Sequence, residues 1–315
     1  MRRLNRRIEQ TLLDTWQEYI RRITLENYSQ DTIDNKIKHF RLFMEMMPND
    51  ILINEVKQTH ADNFILAKKK TCKAISINSY IRVYRAFFNW AYKEGYMDHQ
   101  IVFKALKEQN KVPKSYQPSD IDKALKKPNL RTCTFNEYRN WVIVNFVLAT
   151  GARRTTIVEI QIGDLNLEES CIEFNTTKNN QPLVMPLSTS LKKILVEYLS
   201  YRNGDASDPL FCLDTGAPMT KDYLTNEIAK YNKSRGLTKT SLHAYRHTFS
   251  KTAIMDCNMN AFQLQKMLGH ANIKTTENYV KMFDTEILNN VDEHNPLNYF
   301  TNDNQKSKIK TRGRR

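Results

Sequence analysis

The sequence predicts a mainly helical protein of two domains, with one small antiparallel β-sheet confined to the second domain. Three observations carry that prediction. Only 8 of 315 residues are Gly and 9 are Pro, while 40% are hydrophobic, a composition that suits long helices around real cores. Apolar residues recur at helical spacing through the first hundred positions. Two short apolar runs, CIEF (171–174) and PLVMPL (182–187), flank KNNQ, whose adjacent asparagines suit a hairpin turn.

The elements follow in order. Leu12, Trp16, Tyr19 and Ile23 form one helical stripe, and Ile33, Ile37, Phe40 and Met44 a second. A shorter helix is expected near 59–70, closing on Lys68-Lys69-Lys70. Ile77, Ile81, Tyr84, Phe88 and Ala91 make a third long stripe. Basic residues lie off these apolar faces, among them Lys36, Arg41, Arg82 and Arg85. Singly, each is an ordinary solvated charge; together they suggest a basic side for phosphates. The polar stretch KEQNKVPKSYQPSD (107–120), with two prolines, reads as an interdomain linker. Ser119 with Asp122 resembles a capping box opening the next helix. NEYRNWVIVNFVLAT (136–150) is a strongly apolar helix, broken by TGARR and followed by a short helix through Ile160. After the hairpin, helices are expected near 189–202, 220–233, 241–256 and 260–268, with Tyr279 on the next.

Composition also bounds function. The net charge of +14 favours a polyanionic partner, nucleic acid first. No run of eighteen apolar residues suggests a membrane span, and the basic N-terminus lacks the apolar core of a secretion signal. Five widely spaced cysteines without a C-x-x-C read as free thiols of a reducing cytosol, not a disulfide framework or a zinc cage. The tail from Lys306 to Arg315 holds six basic residues and no acid, and reads as a disordered DNA-binding extension.

Chemistry-bearing residues cluster in the second half. In SLHAYRHTF (241–249), His243 and Arg246 stand three apart on one helical face, with Leu242, Tyr245 and Phe249 on the other. A guanidinium matches two phosphate oxygens, and a histidine moves a proton near neutral pH. In TGAR (150–153), Gly lets the chain turn between helices, which leaves Arg153 at a helix start. Taken alone, the first stretch is equally a surface His and Arg near a helix start, and the second is a weak signal, readily a helix C-cap followed by a surface Arg.

Read in order, TGAR, the hairpin TTKNNQPLVMPL with Lys178, HAYRHTF and LGHANIKTTENYV (268–280) resemble the tyrosine recombinases, the phage-integrase-like site-specific recombinases. The resemblance covers about 115–283. Less tightly, SINSYIRVYRAFFNWAYKEGY (76–96) is similar to the family's helical, SAM-like core-binding domain. The resemblance implies a DNA clamp of two domains: a core-binding domain at 1–110, a linker at 111–118 and an α+β catalytic domain at 119–283. A C-terminal segment at 284–315 would follow. It implies that Arg153 and Arg246 grip one scissile phosphate, that His243 assists proton transfer, and that His270 hydrogen-bonds a phosphate oxygen. Lys178 would protonate the departing 5′-oxygen, and Tyr279 would attack the phosphorus to leave a 3′-phosphotyrosyl link. No cofactor, metal or ATP is implied. The partners implied are double-stranded DNA with inverted half-sites, a dimer on each site, a synaptic tetramer, and accessory DNA-bending proteins. The setting is cytoplasmic and DNA-associated.

Two positions depart from the family pattern. Thr156 stands where an acidic residue commonly follows the first Arg by three, and DHQIVFKAL stands where an Asn-Pro pair often closes the first domain. Little chain precedes residue 10, so the extra arm-binding domain of some phage integrases is not expected. The apolar positions Met282, Phe283, Ile287, Leu288 and Val291 would suit a helix docking either on its own chain or on a neighbouring protomer. Alternatives remain open: a type IB topoisomerase, a non-catalytic DNA-binding regulator, and a metal hydrolase using His243, His247 and His270. The sequence leaves open whether a recombinase of this kind integrates or moves a mobile element or resolves a replicon, with a lean to the former.

Overall fold

The computed structural model describes residues 10–108, 115–174, 183–257 and 259–269. Contacts divide the chain into two units, residues 1–111 and 112–315. Among the described residues the structure is mostly helical with one three-stranded antiparallel sheet, as the sequence predicts.

In the first unit, α1 (Leu12–Leu25) is opened by Thr11, whose Oγ1 accepts from Asp14 N at 3.1 Å. It buries Leu12, Trp16, Tyr19 and Ile23, the expected stripe. In α2 (Gln30–Met44) the buried face differs from the expected one. Ile33, His39, Phe40 and Phe43 are buried, while Ile37 is 37% exposed. The reason is size. Turning the helix toward Phe43 buries a phenyl ring against Phe64, Tyr84, Phe88 and Phe103, which removes more apolar area from water than Ile37 would. Two further helices, α3 (Gln58–Lys69) and α4 (Ala74–Lys93), complete the unit. All five residues of the third predicted stripe are buried on α4. Trp16 stacks on Phe40 at 3.8 Å between ring centroids, and Phe87 meets both rings edge-on.

In the second unit, α5 (Pro118–Leu125) does not use the expected Ser119 cap. Gln117 is the N-cap and Pro118 the first helical residue. Proline's fixed φ and missing N–H suit that position, so Ser119 already lies inside the helix. Helix α6 (Phe135–Thr150) is the central element, packed by α5, α8 (Thr189–Arg202), α9 (Lys221–Ser234) and α10 (Leu242–Met255). Ten of its sixteen residues are buried, which explains its apolar sequence. A short helix, α7 (Arg154–Glu159), leads to the sheet of β1 (Leu165–Asn166), β2 (Cys171–Phe174) and β3 (Leu183–Pro186). Ile172 pairs with Leu165 on one side and Met185 on the other. The sequence shows β2 and β3; β1, two residues long, is too short to carry a period. Helix α11 (Ala261–Leu268) closes the described chain.

Polar side chains lie deep in this second core. Arg139 is fully buried, donating to Cys212 O at 2.7 Å and Asn136 Oδ1 at 2.8 Å, with Glu227 at 3.8 Å. Tyr116, in the stretch that reads as linker, is buried and stacks on Tyr245 at 4.3 Å. Asn232 joins the two: its Nδ2 donates to Tyr116 Oη at 2.8 Å, and its Oδ1 accepts from Tyr245 Oη at 2.7 Å. Tyr116 N donates to Thr248 Oγ1 at 2.8 Å. Tyr245 and Thr248 both belong to α10, so this network fixes that helix from beneath.

Candidate active site

Three segments of the second unit meet at one place: the α6–α7 turn, the first turns of α10, and the end of α11. Gly151 ends α6 in the left-handed region, at φ 64°. A Cβ there would lie 2.5 Å from Phe249 Cδ1 and 2.7 Å from Leu268 Cδ2. Both the conformation and the close packing therefore require glycine. Two residues on, Arg153 is the N-cap of α7.

Arg246 is 4% exposed. Its Nη1 donates to the carbonyl of Gly151, and its Nη2 to that of Leu268 at 3.3 Å. Arg153 Nη1 donates to the same Leu268 carbonyl at 2.9 Å. A buried guanidinium needs acceptors, and these carbonyls lie at helix C-terminal ends, where the backbone carries partial negative charge. Two guanidinium groups thus converge on one carbonyl oxygen. A neutral acceptor cannot balance two full charges, so an anion is strongly favoured beside them.

His243 sits one turn before Arg246 and is exposed. Its pKa is lowered by partial burial first, then by the charges of Arg246 and Arg153. The imidazole is therefore neutral at pH 7 and able to accept a proton. Its ring meets that of His247 at 4.3 Å and 72°, edge to face. His247 is pushed down to about 4 by burial, then His243 and Arg246. Among the described residues no three His, Cys, Asp or Glu side chains gather as a metal site.

The structure thus brings together Arg153, His243 and Arg246 of the sequence candidates. Lys178, His270 and Tyr279 lie outside the described residues, as does the C-terminal segment at 284–315. The description ends at Gly269, immediately before His270, with α11 closed by that glycine at φ 59°. Sequence reasoning missed the carbonyl oxygens of Gly151 and Leu268 as anchors. The only signal for them was the glycine after each helix. Thr156, at the atypical position, lies within α7, and its carbonyl accepts from Ile160 N at 3.0 Å.

The basic candidates of the first unit differ in how they are held. Lys36 is half-buried; its Nζ donates to Tyr19 Oη at 3.1 Å and lies over the Tyr19 and Tyr28 rings. Arg85 is tied to the Phe103 carbonyl, through Nε at 3.1 Å. Arg82 and Arg41 are exposed, with Arg82 Nε donating to Asn78 O at 3.3 Å.

Comparison with known proteins places the chain in a family. A model described as the phage integrase family matches residues 115–286, and one for the phage integrase SAM-like domain matches 11–109. The chain belongs to the phage integrase family. Its relatives in that family include tyrosine recombinase XerC of Rickettsia canadensis (strain McKiel), 27% identical over 291 residues, covering 86% of this chain and 92% of the relative. Tyrosine recombinase XerD of Staphylococcus haemolyticus (strain JCSC1435) is 26% identical, covering 89% and 98%. The fold is shared with the Tn1549 transposon integrase in complex with a circular intermediate DNA, at a TM-score of 0.71 and 21% identity over 86% of this chain and 95% of that one. It is shared too with a lambda integrase dimer bound to a core site, at 0.70 and 16%, again over 86% and 95%. No described helix of this phage integrase family member is long and apolar enough to cross a membrane.

Proposed function

We propose that this chain, a tyrosine recombinase of the phage integrase family, cuts DNA strands at specific sites and rejoins them to new partners. The observation that carries the reading is the convergence of Arg153 and Arg246 on the Leu268 carbonyl, with neutral His243 alongside. A phosphodiester is anionic and repels nucleophiles, and charge builds on its nonbridging oxygens during attack. Guanidinium groups held in advance at that place stabilise the charge. Tyr279 Oη attacks the phosphorus, forming the P–O(Tyr) bond while the P–O5′ bond breaks. The tyrosine proton passes to His243. The 5′-oxygen leaves with a proton from Lys178, and His270 donates to a phosphate oxygen. The 3′-phosphotyrosyl ester conserves the bond energy, so a 5′-hydroxyl of another strand reverses the step without ATP. The two arginines occupy the role a divalent metal has in other phosphoryl-transfer enzymes.

On this reading the first unit, residues 1–110, grips the duplex with Lys36, Arg41, Arg82 and Arg85. Residues 119–283 hold the chemistry, and 284–315 supply a docking segment and a basic tail. Lambda integrase, which shares the fold, forms a dimer bound to a core site and a tetramer bound to a Holliday junction. We extend that to a dimer of this chain on inverted half-sites and a tetramer at synapsis, in the cytoplasm, with accessory DNA-bending proteins. A mobile element or replicon is the substrate.

The test is a nicked suicide duplex carrying a site selected for tight binding from a random-sequence pool, incubated with the protein in EDTA. The expected result is a covalent protein–DNA species on a denaturing gel, lost completely in Tyr279→Phe. Tight, specific binding with no covalent species in wild type would overturn the reading in favour of a DNA-binding regulator.

A further inference from the structure

We propose that the cleft between α7, α9 and the start of α10 is a binding site for a second DNA phosphate, next to the one attacked, with Arg154 as its principal ligand. The proposal rests on the strand-cleavage reading above. The cleft has a volume of about 350 Å³ and is lined by Ala152, Arg154, Thr225, Ser241, Leu242 and His243. It therefore shares His243 with the candidate active site.

Arg153 and Arg154 are neighbours in sequence but are sent to different places. Arg153 reaches the end of α11, while Arg154 turns to α9, where its Nη1 donates to Thr225 Oγ1 at 3.2 Å. That hydroxyl in turn donates to Lys221 O at 2.9 Å, so its position is fixed by the helix. The guanidinium carries five N–H donors, and only Nη1 is engaged among the described residues. On the far wall, the Ser241 side chain makes no capping bond to α10, while its carbonyl accepts from buried Tyr116 at 3.0 Å. The cleft thus offers an anion the remaining N–H donors of Arg154 and the Ser241 hydroxyl, while the Thr225 hydroxyl, its one proton given to Lys221 O, orients the guanidinium.

The chemistry points to a polyanion with regularly spaced charges. Each DNA strand carries a phosphate about every 3.4 Å along the helix axis, so a strand held at His243 by one phosphate brings a neighbour to the cleft. Arg154 is poised for exchange. Its charged partner is Asp222, 3.7 Å away and 94% exposed, and a pair so open to water contributes little. A phosphate displaces the carboxylate readily, and Asp222 acts as a competitor that weakens DNA binding.

The experiment uses the full chain carrying Tyr279→Phe, so that binding is read without covalent capture, and a short random-sequence duplex as probe. Affinity is measured across a range of salt concentrations. Arg154→Ala is expected to weaken binding and to lower the slope of log K against log salt by about 0.9, the signature of one lost phosphate contact. Arg154→Lys restores most of the slope. Asp222→Asn tightens binding, and that gain vanishes when Arg154 is alanine. An unchanged slope in a folded Arg154→Ala protein would overturn the proposal. So would a gain from Asp222→Asn that persists at full size without Arg154, because the carboxylate would then be acting on DNA directly. Because the assay makes no use of Tyr279, its failure is separable from failure of the cleavage reading. Covalent capture with an unchanged slope rejects the cleft alone, and a reduced slope without covalent capture rejects the chemistry alone.

Discussion

The two units are built on different principles. Among the described residues, the first unit buries three polar side chains, Thr15, His39 and Asn78, amid a cluster of stacked and edge-on aromatic rings. The second buries eight: Arg139, Asn140, Thr150, Arg202, Asn232, Arg246, Thr248 and Ser250. An aromatic core tolerates small shifts because dispersion and area burial are non-directional. A buried polar network does not, since each donor needs its acceptor at the right distance. The difference fits the tasks proposed for them. A surface that grips a backbone needs only a stable support. A site that places two guanidinium groups on one phosphate needs α10 held to a fraction of an ångström, and the Tyr116–Asn232–Tyr245 network holds it.

That contrast can be broken in three places. The largest effect is expected from Trp16→Ala, which removes the ring stacked on Phe40 and should cost about 3–5 kcal/mol. Hydrogen exchange should show the loss confined to residues of the first unit. Equal loss of protection in both units would mean that they do not fold as separate cores. A smaller effect follows from Asn232→Ala, which takes the acceptor from the buried Tyr245 hydroxyl and a donor from Tyr116 Oη, for about 1–3 kcal/mol. Here strand cleavage should fall further than the stability loss alone accounts for, because α10 loses its support. Cleavage retained at the wild-type rate would deny the network a positioning role.

The smallest effect is a pH dependence. The folded value of His247 lies near 4, below about 6.5 for the unfolded chain, so the unfolded state binds the proton first. The contribution of this group to stability is present above about pH 6.5 and is lost as pH falls toward about 4. After allowance for partial exposure, the change is on the order of 1–2 kcal/mol. Urea midpoints across that window should slope less in His247→Gln than in wild type, and parallel slopes would contradict the assignment.

Much of this architecture is legible in the sequence, for physical reasons that also mark the limits. The stripe on α4 is read correctly because a twenty-residue helix repeats its period several times. The stripe on α2 is misplaced because periodicity counts residues and not ring size, so Phe43 displaces Ile37. Pro118 overrides Ser119 as the helix start because a fixed φ outweighs a capping hydroxyl one residue on. The burial of Arg139 leaves no mark in the sequence, since nothing local shows that Cys212, seventy-three positions away, supplies its acceptor. The candidate site divides in the same way. Arg153, His243 and Arg246 are visible as residue types in order. The burial of Arg246 and the shared Leu268 carbonyl are tertiary facts, which no spacing encodes.

The central claim is that Arg153 and Arg246 act as one anion site. The most direct test is the single-turnover cleavage rate of Arg153→Ala, Arg246→Ala and the double variant on the same nicked duplex. Each single change should slow cleavage about 100- to 1000-fold, and the double variant should be little slower than the worse single, because groups gripping one phosphate fail together. Costs that multiply in the double variant would contradict the claim, placing the two arginines on separate tasks.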